Sequence, residues 1–88
     1  MEYFVYILYS EKIDRFYTGQ TQDLNKRIER HNKGYEKYTK KGIPWKLKCA
    51  VKCKSRGEAM KLEKKIKNFK SQARIKKFIR EVVGSEKS

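Results

Sequence analysis

The chain has 88 residues, enough for one small domain whose core cannot enclose a large cofactor or a second site. Its 24 lysines and arginines against 10 acids give a net charge of +14, which indicates a polyanionic partner. The sequence offers no apolar run near the roughly 18 residues of a membrane span and no basic leader, so we expect a cytoplasmic monomer without a membrane role.

The positive charge is unevenly distributed along the chain. Residues 1–32 contain five basic and five acidic residues and are neutral, whereas residues 33–88 contain 19 and five. Residues 1–32 are therefore the candidate catalytic segment, and residues 33–88 are the candidate polyanion-binding segment.

A hairpin of two strands is predicted first. Residues 3–9 are continuously apolar or aromatic, which is typical of a central strand covered on both faces. Residues 10–14 are turn-like, and residues 16–19 return as the second strand. Tyr6 and Tyr17 lie on these strands, and their rings can come close together across the pair.

An amphipathic helix follows, capped by Thr21 or Asp23 and ended by Gly34. Its apolar stripe consists of Leu24, Ile28 and His31. Arg27 lies one turn before His31 on the same face, so both side chains should lean toward the sheet. A loop over residues 33–44 leads to the next strand.

Residues 45–53 alternate between apolar and lysine side chains, which predicts a half-buried strand. The apolar positions are Trp45, Leu47, Cys49, Val51 and Cys53. Both cysteines should point to the core as buried thiols, because a zinc site needs about four ligands and the only histidine is distant.

Two helices complete the chain. A capping box at residues 55–58 opens the first of them, and Ser71 caps the second. Gly84 should end this last helix and leave residues 85–88 as a disordered tail. The prediction is an α+β domain over residues 1–84, a three-stranded antiparallel sheet flanked by helices in the order β-β-α-β-α-α.

Several of these side chains have functional groups that could act on a phosphodiester. A phenol is a poor base at neutral pH, but a dense cationic environment lowers its pKa, so Tyr6 or Tyr17 could act; both could equally be core tyrosines. Arg27 offers a planar fork for a phosphate oxygen, and His31 can move a proton. Alone, this second pair could also be a surface arginine and a buried histidine.

Glu63 lies at the border of the apolar stripe of its helix and needs a partner. Lys67, four residues later, is one solution, and a magnesium-type cation is the other.

The excess of basic residues over acids favours a track for a phosphate backbone over merely solvated helix faces. Tyr35 and Tyr38 could stack on an unpaired base or pin their loop to Trp45. The residues expected to contact nucleic acid are Lys26, Arg30, Tyr35, Tyr38, Lys40, Lys41, Lys67 and Lys70.

The order and spacing of these residues resemble those of the GIY-YIG nuclease superfamily. Tyr6 in residues 5–7 matches the first motif, and Tyr17 with Gly19 matches the second. Residues 24–31 are similar to the L-x-x-R-x-x-x-H stretch of the family, and residues 58–63 to its E-A-x-x-x-E segment. The resemblance covers nearly the whole chain and is strongest to a group of small stand-alone bacterial proteins, the YhbQ-like group. Family members often have a lysine where this chain has Gln20.

The resemblance implies hydrolysis of DNA phosphodiester bonds with one Mg²⁺ or Mn²⁺ ion held by Glu63. Tyr6 with help from His31 would activate water, Tyr17 would support it, and Arg27 would stabilise the phosphate. The substrate would be DNA rather than RNA, in nicked, branched or single-stranded form, during repair or processing.

Two other functions fit the same sequence. One is a non-catalytic module that grips DNA or RNA on this scaffold, and the other is a basic accessory of a nucleoprotein complex. Binding of nucleic acid alone requires no particular combination of tyrosine, arginine, histidine and glutamate. The enzyme is therefore the preferred interpretation.

Overall fold

A computed structural model describes residues 2–86 of the chain. In chain order, its strands, helices and one 3₁₀ turn are β1 (Tyr3–Ser10), β2 (Arg15–Thr21), α1 (Leu24–Asn32), the 3₁₀ turn (Lys40–Gly42), β3 (Trp45–Cys53), α2 (Arg56–Lys67) and α3 (Gln72–Glu86). The predicted class and element order are confirmed. No helix in the described part of the chain is long and apolar enough to cross a bilayer.

The sheet has the order β2-β1-β3, and both neighbours run antiparallel to β1. The central position of β1 follows from its uninterrupted apolar run, because side chains on both faces must be covered. Residues 5–8 are at most 1% exposed. Tyr6 pairs with Gly19 on one side and with Ala50 on the other.

Alternate residues of β1 belong to two separate cores. Val5 and Ile7 pack on the face covered by α2 and α3, where Cys49 and Cys53 are also buried. Tyr6 and Leu8 point to the opposite face, which α1 covers. The sheet is therefore the middle layer of three, and Tyr6 and Leu8 of β1 are directed at the layer that contains α1.

The alternation predicted for β3 is correct only in its second half. A bulge shifts the register, because Ile7 pairs with Cys49 while the next residue, Leu8, pairs with Leu47. One extra residue in a strand moves all preceding side chains to the other face. Trp45 consequently packs with Tyr6 on the α1 face, and Leu47 is 43% exposed.

The predicted caps of α1 and α2 are confirmed, whereas the predicted end of α3 is wrong. Asp23 accepts from the backbone N–H of Lys26, and Ser55 accepts from that of Glu58. Gly34, at φ +80°, follows the end of α1 as predicted. Gly84 does not end α3, which continues to Glu86. A helical glycine costs only about 1 kcal/mol relative to alanine, so it need not terminate a helix. Residues 87–88 of the predicted tail lie outside the described residues.

Candidate active site

The centre of the site is a buried hydrogen bond between Tyr6 of β1 and His31 in the last turn of α1. The Tyr6 hydroxyl and His31 Nε2 are 3.0 Å apart, and each residue is 1% exposed. Gly19 makes room for the phenol, because a Cβ there would lie 2.5 Å from the Tyr6 hydroxyl oxygen. The strand pairing of Tyr6 with Gly19 thus places the hydroxyl where the histidine can reach it.

Thr39, which the sequence did not single out, fixes the other side of the imidazole. Its hydroxyl lies 2.8 Å from His31 Nδ1 and donates a 3.4 Å hydrogen bond to the carbonyl of Glu36. A hydroxyl that donates to a carbonyl accepts from the ring, so Nδ1 carries the proton and Nε2 is the bare acceptor. Tyr6 therefore donates its proton to His31. Thr39 is itself 1% exposed, and its carbonyl accepts from the indole of Trp45.

Tyr17 lies beside this pair and faces outward. Tyr17 belongs to β2 and pairs with Leu8 of β1, so it shares a face with Tyr6 as a diagonal neighbour. Its ring centroid is 6.4 Å from that of Tyr6 and 5.0 Å from that of His31. The expectation that the two phenols come together is confirmed. Because Tyr17 is half-buried while Tyr6 is enclosed, Tyr17 is the phenol nearer to water.

Arg27 stands at the rim, held by an acid that was not predicted. Its Nη1 is 3.5 Å from Oε1 of Glu36, and Nε of Arg30 is 3.3 Å from the same oxygen. The Arg27 side chain is 40% exposed, so it leans toward the sheet less than expected. An ion pair this exposed is weak, and the guanidinium can exchange Glu36 for a phosphate oxygen.

Glu63 projects from α2 toward β2 and has a partner on each oxygen. Gln20 donates to Oε1 at 2.9 Å, and Lys67 lies 2.9 Å from Oε2. The carboxylate lines an open cavity of about 400 Å³ with both partners. Of the two solutions that the sequence left open for this acid, the ion pair with Lys67 is the one observed.

Charged side chains and burial both affect the pKa values of Tyr6 and Tyr17. Arg27 acts to lower the pKa values of both tyrosines, whereas Glu63 raises them, so both charges lie within electrostatic range of the phenols. Burial is nonetheless the largest effect and raises the pKa of Tyr6 and of Tyr17 above the ordinary value. The expectation that surrounding cations lower the phenol pKa is therefore wrong, because desolvation outweighs them.

The predicted nucleic-acid contacts divide into two groups. Tyr38 packs on Tyr17, with ring centroids 6.1 Å apart. Lys67 and Lys70 line one cavity beside these rings, and Lys41 lines another. The predicted contacts outside these two cavities are Lys26, Arg30, Tyr35 and Lys40. Tyr35 and Tyr38 are 69% and 87% exposed, so neither ring pins the loop by being buried.

The protonation of His31 should be visible in the stability of the fold. Burial lowers its pKa below the ordinary 6.5. As the pH falls below 6.5 the unfolded chain takes up the proton first, so the free energy of unfolding decreases until the folded pKa is reached. This is the only histidine in the sequence, and the reference pKa values of aspartic and glutamic acid lie well below this interval. Urea denaturation at about pH 7.5 and about pH 5.5 measures the loss.

His31→Gln is the control for this titration, since it should be less stable throughout but nearly insensitive to pH over the same interval. A titration of the single imidazole by proton NMR gives the folded pKa directly. A folded value at or above 6.5 contradicts the assignment of His31 as a neutral hydrogen-bond acceptor.

Comparison with known proteins places the chain in a family. The model of the GIY-YIG catalytic domain matches residues 2–77. The UPF0213 protein SAV0488 of Staphylococcus aureus strain Mu50 is 36% identical over 75 residues, which cover 84% of this chain and 90% of that protein. The UPF0213 protein SA0446 of strain N315 matches equally.

A solved structure agrees with the sequence comparison. The solution NMR structure of the UPF0213 protein BH0048 from Bacillus halodurans matches with a TM-score of 0.58 and 32% identity, covering 90% of this chain and 83% of that one. The buried Tyr6–His31 pair lies within residues 2–77, the segment matched to the catalytic domain. The chain belongs to the GIY-YIG family.

Proposed function

We propose that the protein is a metal-dependent endonuclease that hydrolyses phosphodiester bonds in DNA. The observation that carries this proposal is the buried hydrogen bond from Tyr6 to His31, with Tyr17 and Arg27 beside it. A protein that only binds nucleic acid needs cations at its surface. Binding does not require a phenol that donates a hydrogen bond to a neutral imidazole inside the protein.

The hydrogen bond allows Tyr6 to act without becoming a stable phenolate. Because Tyr6 is 1% exposed in the free protein, the attacking water has to enter beside the half-buried Tyr17 before this step. The phenol oxygen of Tyr6 then takes a proton from this water while the phenol proton passes to His31 Nε2. The hydroxide forms the new bond to phosphorus as the bond from phosphorus to the sugar oxygen breaks, and the sugar oxygen leaves as an alkoxide that takes a proton from solvent water. The raised pKa of Tyr6 does not prevent this relay, because the proton leaves the phenol only as another arrives. Thr39 holds the Nδ1 proton that the relay requires.

The phosphate is assigned to Arg27, whose guanidinium stabilises the negative charge that develops on the oxygens. Its partner in the free protein is the carboxylate of Glu36, at a distance of 3.5 Å, whose oxygen is an acceptor as a phosphate oxygen is. A phosphate oxygen would take the place of that carboxylate. The +14 charge of the chain favours DNA or RNA as the source of the phosphate, and we place the protein in the cytoplasm as a monomer that acts in repair or processing.

Glu63 fits a divalent cation as its single protein carboxylate. Among the described residues no cluster of three or more histidine, cysteine or acidic side chains could hold a metal. Mg²⁺, however, often takes one carboxylate together with water and substrate phosphate. Such a cation supplies positive charge at the reacting phosphate. Lys67 would have to release Oε2 of Glu63 to admit it.

The same contacts favour a second candidate, a module that binds nucleic acid without cutting it. Gln20 and Lys67 satisfy both oxygens of Glu63, so the acid has a structural role that needs no metal. On this alternative the tyrosines and His31 are a buried polar network only.

A cleavage assay with a matched pair of glutamine substitutions separates the two candidates. Glu63→Gln should lower the rate of Mg²⁺-dependent DNA cleavage by roughly 10²-fold or more, because the carboxylate that would hold the cation is lost, and with it the positive charge at the reacting phosphate. Glu58→Gln makes the same change in the first turn of α2 and should retain most of the rate. Binding of DNA and RNA with a steep salt dependence, but without any metal-dependent product, contradicts the enzyme and supports the binding module.

A further inference from the structure

Two adjacent cavities meet at the outward face of the site. One, of about 550 Å³, lies between β2 and the junction of α2 with α3, and the other, of about 440 Å³, lies toward the loop before β3. The residues that line both are Arg15, Phe16, Tyr17 and Tyr38. Each volume is within the range of small-molecule sites. The cavities are thus neighbours of Tyr17, the phenol nearer to water.

Tyr38 lines both of these cavities. It contacts the ring of Tyr17 at 6.1 Å and an interplanar angle of 49°, yet it is 87% exposed. The ring therefore has an aromatic neighbour, and most of its surface is open to water. An exposed aromatic ring on a basic surface is the platform that single-stranded nucleic acids use for stacking a base.

The larger cavity has the charge and the floor that a nucleotide needs. Its cationic lining residues are Arg15, Lys67 and Lys70, and no acid lines it. Ile75 is half-buried and supplies apolar surface for the flat face of a base. Lys70 adopts φ +54°, which is uncommon for a residue other than glycine and occurs where α2 gives way to α3. The tight turn at Lys70 brings the ends of both helices to the cavity.

We infer that the larger cavity holds an unpaired nucleotide next to the phosphate to be cleaved, with its base stacked on Tyr38. The inference rests on the proposed function for the position of that phosphate. A base can stack on a side chain only where its own neighbour does not cover it. The substrate class is therefore single-stranded DNA, or the single-stranded portion of a branched or nicked molecule.

Equilibrium binding in EDTA tests this inference without any cleavage. A fluorescein-labelled single-stranded oligonucleotide and its duplex are titrated with the wild type and with Tyr38→Ala and Tyr38→Phe. Tyr38→Ala should weaken single-strand binding about tenfold or more, because one stacked base is lost, and should leave duplex binding within about twofold. Tyr38→Phe keeps the ring and should restore single-strand binding.

Tyr35→Ala is the matched control, since Tyr35 is an exposed tyrosine in the same loop but lines neither cavity. It should change single-strand and duplex binding by the same factor. An equal loss for both forms of DNA in Tyr38→Ala overturns the base-binding cavity. A selective loss in a protein that never cleaves supports the cavity and rejects the endonuclease, so the two proposals fail separately.

Discussion

Replacing Tyr6 with phenylalanine is expected to reduce the rate of DNA cleavage by about 10³-fold, the middle of the range for removing a general acid–base group. The substitution deletes the hydroxyl that lies 3.0 Å from His31 Nε2 and leaves the ring in place. Without it, neither the proton from water nor the path to His31 remains. Single-turnover cleavage with saturating enzyme measures the chemical step apart from DNA binding.

Stability provides the second measurement for this variant. His31 Nε2 becomes a buried acceptor without a partner, which should cost about 1–3 kcal/mol of unfolding free energy. Tyr17→Phe is the matched substitution on the neighbouring strand, at a phenol that is half-buried, and it should lose less of both the rate and the stability. Should Tyr17→Phe abolish cleavage while Tyr6→Phe remains within a few-fold of the wild type, Tyr17 is the base and Tyr6 is structural.

The sheet was predictable because its signals are local. The apolar run in β1 requires cover on both faces, and this requirement alone places the strand at the centre. The bulge near Cys49 was not predictable, since the alternation continues unbroken through a position where the pairing slips by one residue. Trp45 therefore packs on the face opposite the one expected. Gly84 shows the same limit, because packing of α3 decides whether one glycine ends it.

Within the site, the sequence could identify the groups that chemistry makes conspicuous but not the residues that hold them. Tyr6, Tyr17 and His31 converge because strand register and helix periodicity are simple repeats. Thr39 and Glu36 lie in an irregular loop, where no period relates them to His31 or Arg27. The sign of the phenol pKa shift also required the structure, since it depends on burial as well as on the number of cations.

Substituting Gly19 by alanine should destabilise the fold and disturb the site at the same time. A Cβ at this position would lie 2.5 Å from the hydroxyl oxygen of Tyr6 and 2.7 Å from its Cζ. Tyr6 is 1% exposed in the central strand and has no room to move away. Overpacking of this kind costs about 1–3 kcal/mol. Displacement of the phenol should also break its hydrogen bond to His31, so cleavage should fall together with stability.

Gly57→Ala is the control, because a Cβ on this residue of α2 meets nothing within 4 Å. It should leave the melting temperature unchanged or raise it, as alanine favours a helix over glycine. The double variant Gly19→Ala/Tyr6→Phe removes the closer of the two clashes, so its loss of stability should be smaller than the sum of the single losses. Strict additivity would contradict a direct contact between Gly19 and the phenol, and with it the geometry on which the proton relay depends.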